Sequence, residues 1–169
     1  MVEIPDYVAD DEILVRSIHC PRHINKPGSG KPRKAAFKAP RGKDEVSVTR
    51  LVYSSLGQVK ALARIIDQNE NEKPHKSKKL KYVGMAWITV NVLRKCCTQD
   101  NTEEQVRSRC ADAVSTPLDN NPAHADIVYG IPTPVDPKAV SEPNEASRKS
   151  KMLDEMIQEV LDHINYEKD

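Results

Sequence analysis

Short apolar, β-branched runs separated by polar stretches divide this chain into strands and two amphipathic helices. Ile13-Leu14-Val15 with Ile18, closed by His19-Cys20-Pro21, predicts a first strand with Arg16 and His19 near its exit. Glu45 to Tyr53 predicts a second strand, which sets Ser47 and Thr49 on the face opposite Val46 and Val48. Ser55 is placed to cap a helix in which Leu56, Val59, Leu62, Ala63 and Ile66 recur at helical spacing and face the core until Asp67-Gln68-Asn69. Leu80 to Trp87 reads as a strand weakened by Gly84, and Thr89 caps a short helix over Val90 to Cys97. Residues 98–108 read as a loop or a short solvated helix. Cys110 to Val114 then forms a last strand before the turn at Asn121-Pro122 and the apolar Ile127-Val128-Tyr129.

Beyond Gly130 the pattern changes. Pro132, Pro134, Pro137 and Pro143 among small and acidic residues make an extended linker, after which Leu153, Ile157, Val160, Leu161 and Ile164 share one helix face. The expectation is an α+β body over residues 1–130, a Pro-rich linker over 131–147 and a C-terminal amphipathic helix over 148–169. The body holds a small mixed or antiparallel sheet with one long and one or two short helices. On a tether, the last helix either docks at home or offers those five side chains to a protein partner, and the latter is the reading adopted.

Composition narrows the class. A chain of 169 residues suits one core, and 30% charged against 4% aromatic residues leaves part of the length outside it. The net charge of +1 hides an uneven distribution: Arg22, Lys26, Lys31, Arg33, Lys34, Lys38, Arg41 and Lys43 run without an acid, and Lys73 to Lys81 is a second basic cluster. Both loops lack interleaved aromatics, which weakens but leaves open a nucleic-acid contact. No apolar stretch reaches the ~20 residues that span a bilayer, and the acidic start is unlike a secretory signal, so the expectation is a soluble, cytoplasmic protein without membrane contact. Cys20, Cys96, Cys97 and Cys110 are then expected as free thiols.

The candidate chemistry centres on Asn121-Pro122-Ala123-His124-Ala125-Asp126. An imidazole can exchange a proton near neutral pH, and a carboxylate two residues on shares its strand face, so His124 reads as a catalytic base or acid and Asp126 as its orienter. The plainer alternative is a turn whose polar groups satisfy nearby backbone. Arg16, Ser47 and Arg50 suit a phosphate, because guanidinium pairs with such oxygens through two N–H groups and a hydroxyl adds a donor; their plainer alternative is ordinary ion pairing. His19-Cys20-Pro21-Arg22-His23 offers zinc-type donors, but the spacing matches no finger and Cys96-Cys97 cannot readily turn to one ion. No metal or cofactor is expected.

Leu14 to His19, Ala35-Ala36-Phe37-Lys38, Asp44 to Arg50, Gly84-Met85-Ala86 and Asn121 to Ile127 together resemble an uncharacterised family of small bacterial proteins. The resemblance spans residues 13–130 and implies a setting, bacterial conflict and phage-defence gene neighbourhoods, with no assigned reaction. It gathers Arg16, Ser47, Arg50, His124 and Asp126. The leading expectation is a small accessory or partner-binding protein of a bacterial defence system. Beside it stand an enzyme acting on a nucleotide or other phosphate-bearing substrate, and a nucleic-acid binder using the basic loops.

Overall fold

Alternating side chains define two faces of one sheet, and each face takes its own helix. The computed structural model describes residues 3–26, 30–74, 78–100, 107–136 and 144–169. Among them lie β1 (Ile13–Cys20), β2 (Glu45–Arg50), α1 (Leu56–Asn71), β3 (Lys81–Thr89), α2 (Val90–Leu93), β4 (Cys97–Asp100), β5 (Arg107–Cys110), β6 (Asp112–Ser115), β7 (His124–Val128), α3 (Glu145–His163) and β8 (Asn165–Lys168). Six strands form an antiparallel sheet in the order β6-β7-β2-β1-β3-β8, and β4 pairs with β5 in a separate two-stranded sheet. The protein is of the α+β class.

On one face, Leu14, Ile18, Val46, Val48, Ala125 and Ile127 meet Met156, Ile157 and Val160 of α3, with Phe37 of the basic segment completing the main core. On the other, Val15, Tyr82 and Met85 meet Val59 and Ala63 of α1. The register Thr49 to His124 and Ser47 to Asp126 puts these four polar residues on the α1 side, because paired residues in an antiparallel ladder project to the same face. α1 covers only the β1 and β3 half of that side with buried residues. The other half carries the polar set.

The C-terminal helix belongs to the core. Leu153, Ile157 and Val160 are fully buried, Leu161 and Ile164 nearly so, and all five pack against the chain's own strands. This corrects their assignment to partner binding: the apolar face is already covered. After the helix, β8 adds to the β3 edge, so the segment is part of the sheet and not a tethered unit. Gly84 permits that pairing: its φ is 155°, and a Cβ there would collide with the carbonyl of Glu167. The start of the expected linker also stays on the body, where Gly42 N donates to Thr133 O and Thr133 N donates to Lys43 O, both at 2.8 Å. Residues 137–143 of that linker lie outside the described residues.

Of the stretch expected as a loop or short helix, the described ends are paired strands, β4 and β5, and Cys97 and Cys110 are joined by a disulfide between them, while residues 101–106 lie outside the described residues. The expectation of four free thiols fails for this pair; Cys20 and Cys96 are free and buried. Among the described residues no helix is long and apolar enough to cross a membrane.

Candidate functional site

The sheet opens between β1 and β2. These strands pair only at Leu14 with Arg50 and Val15 with Thr49, after which β1 follows β3 to Cys20 while β2 follows β7 to Glu45. Where the ladder stops, Arg16 Nη1 donates to the carbonyl of Ser47, so a guanidinium bridges the parting strands. Arg16 Nε is buried and has no hydrogen-bond partner. Burial, with Arg22 nearby, pushes the pKa of Arg16 down to about 10 against the pull of Tyr129 and Asp126, which leaves it cationic at neutral pH.

Two chambers of one cleft meet at this opening. The first, of about 440 Å³, is bounded by Arg22, His23, Lys38 and Lys43 together with Glu45 and Asp126. The second, of about 280 Å³, runs beneath α1 past Leu62 and Ile65 to Asn120 and Asn121. Arg16, Ser47 and His124 line both. The acid-free basic segment forms a wall of the first chamber. It is held there by Phe37, whose carbonyl accepts from Tyr129 Oη at 2.9 Å, and by Arg33, which donates to the carbonyls of Pro21 and Arg22.

His124 is oriented by Thr116, a residue the sequence reading missed. Its Nδ1 lies 2.7 Å from the Thr116 carbonyl oxygen and 2.9 Å from Thr116 Oγ1, and that hydroxyl donates to Asp126 Oδ2 at 2.7 Å. A carbonyl can only accept, so Nδ1 carries a proton, and in the neutral ring Nε2 holds the lone pair. Asp126 Oδ1 is 3.9 Å from His124 Nε2, too far for a hydrogen bond. Asp126 thus acts on His124 through Thr116, which corrects the expectation of a direct orienter. The turn fixes the arrangement from below: His124 N donates to Asn121 O at 2.9 Å, and Asn121 Nδ2 to Thr49 Oγ1 at 3.2 Å.

Arg50 stands apart. It is fully buried; its Nε and Nη2 grip both oxygens of Glu12 at 2.7 Å, while Nη1 reaches Pro5 O and Ser115 Oγ and Nη2 also reaches Tyr7 O. All its N–H groups are engaged in clamping the N-terminal segment to the sheet, which removes it from substrate binding. Burial alone would raise the Glu12 carboxyl, but hydrogen bonds from Arg50 and the Ala9 amide hold it below the usual range.

His19 and His23 are likewise occupied. His19 Nδ1 lies 2.6 Å from Asp67 of α1 and Nε2 2.9 Å from Ser17 Oγ, while His23 Nδ1 accepts from the His19 amide at 3.2 Å. Burial and then Arg16 push His23 down to about 2. Among the described residues no three His, Cys, Asp or Glu side chains gather in a way that could hold a metal ion.

Comparison of the chain with protein-family models, with curated proteins and with solved structures finds no match in any of the three.

Proposed function

We propose that the cleft binds a small phosphate-bearing molecule and that His124 exchanges a proton with it through Nε2. One observation carries this reading: the chain brings Arg16, Ser47 and His124 from three different strands to one opening, with a buried guanidinium N–H left unpaired. Such a donor costs roughly 1–3 kcal/mol while unsatisfied, and an oxyanion beside Arg16 would relieve it. Lys43 adds charge at the rim. Arg22 and Lys38 reach Glu70 at 2.8 Å and Asp154 at 3.6 Å, in partly exposed pairs that a multiply charged ligand can displace.

Chambers of this size suit a small ligand rather than a polymer track. Nucleic-acid binding through the same basic wall is therefore the weaker reading. A role in a bacterial defence system rests on the family resemblance, and a protein partner would need a surface other than the apolar face of α3. The test is calorimetric titration with ribose 5-phosphate. Binding should weaken at least tenfold in Arg16→Ala and severalfold in Lys43→Ala, and decline with added salt. Equal affinity in both variants would overturn the reading.

A further inference from the structure

The two chambers differ in chemistry. The basic one gathers Arg16, Arg22, Lys38 and Lys43. The other is walled by Leu62 and Ile65 of α1, which the basic chamber lacks, while Ile66 and, at the β6–β7 turn, Leu118 border both. Ile65, Ile66 and Leu118 are 47%, 41% and 49% exposed, an unusual grouping of large apolar side chains at a cleft mouth. Beside them stand the carboxamides of Asn69, Asn120 and Asn121. Asn121 already spends its Nδ2 on Thr49, which leaves its oxygen, whereas Asn69 and Asn120 have no hydrogen-bond partner among the described residues.

We infer that the ligand is a nucleoside monophosphate, with its phosphate among the basic side chains and its base in the slot between α1 and Leu118. This rests on the phosphate reading above and adds to it the half of the ligand that the second chamber selects. A planar heterocycle presents apolar faces to Ile65 and Leu118 and donor and acceptor edges to the carboxamides, so both kinds of wall are satisfied together. An acyl chain attached to an anion would fill the apolar part but strip water from the carboxamides without replacing it, a net cost. Inorganic phosphate or a bare sugar phosphate would leave Leu62 and Ile65 unused. The ribose would cross the shared wall, where Arg16, Ser47 and His124 meet, and so lie beside His124.

The experiment compares calorimetric affinities of the four common ribonucleoside monophosphates with that of ribose 5-phosphate, in the native protein, in Ile65→Asn and in Lys43→Ala. Ile65 lines only the second chamber and is 47% exposed, so its replacement should leave folding intact, which circular dichroism checks. At least one nucleotide should bind ten or more times tighter than ribose 5-phosphate. Ile65→Asn should cut that advantage severalfold and leave ribose 5-phosphate within twofold, while Lys43→Ala should weaken both ligands alike. If ribose 5-phosphate binds through Arg16 and Lys43 but no nucleotide binds better, or if Ile65→Asn leaves the ratio unchanged, the base slot is refuted and the phosphate site stands. If none of the ligands binds, both fall.

Discussion

Nδ1 of His124 donates to the backbone carbonyl of Thr116 at 2.7 Å, so the tautomer of this imidazole is set by main chain and not by a carboxylate. A backbone acceptor survives any side-chain substitution at position 116. The Nδ1–H form should therefore appear in the imidazole nitrogen shifts of the native protein and persist in Thr116→Val, whereas Nε2–H as the major neutral form in either protein would refute the arrangement.

The Arg50–Glu12 pair makes a stability prediction that leaves the cleft untouched. Removing one partner strands a buried charge, so Glu12→Leu should cost roughly 3–5 kcal/mol in urea denaturation. Because Glu12 is held below the ordinary carboxyl value of 4.5, its contribution is present above that pH and fades as pH falls through the lower, folded value. Ribose 5-phosphate affinity should be unchanged while the protein remains folded. A marked loss would return Arg50 to the binding site.

His23 gives a second pH dependence at a different range. Its folded form stays neutral far below the ordinary value of 6.5, so the unfolded chain takes up a proton first and stability declines as pH drops below about 6.5. The slope from this residue is of order 1 kcal/mol per pH unit. His19, lowered by burial against the pull of Asp67, adds in the same direction. His23→Asn should flatten the profile between pH 6 and 5; an unchanged slope would contradict the burial of a neutral ring.

Several elements could be read from the residues alone because local chemistry decides them. Ser55 and Gln58 form the capping box that opens α1, and Val46 and Val48 alternate with Ser47 and Thr49 across β2 as the period of two requires. The misreadings share a cause: a distant partner, invisible in the local pattern, decides the outcome. Asn165-Tyr166-Glu167-Lys168 has the polarity of a frayed helix end, yet β3 offers it a free edge. Cys97 to Asp100 lacks strand-like alternation and is held by a covalent link to Cys110. Leu56 and Ile66 follow the helical period of Val59 and Ala63 yet stay exposed, Ile66 lining the cleft instead of the core. Arg16 and Arg50 look alike in sequence; only the parting of β1 and β2 separates a cleft residue from a clamp. Thr116 carries no signal in the sequence because it meets His124 and Asp126 only when β6 and β7 pair, partly through its carbonyl.

Truncation distinguishes an integral C-terminal helix from a tethered one. Removing residues 144–169 strips the main core of six buried α3 side chains and the sheet of β8, so the remainder should lose cooperative unfolding. Ile157→Ala should cost roughly 2–5 kcal/mol. A well-folded 1–143 fragment would contradict the architecture described here.

The cleft itself is tested most directly by mapping amide and imidazole shifts of the full chain during titration with ribose 5-phosphate. Saturable changes centred on Arg16, Ser17, Ser47, Lys43 and His124 are expected, absent in Arg16→Ala. Changes confined to Lys73, Lys78 and Lys79, or no saturable change at all, would contradict the proposed phosphate site.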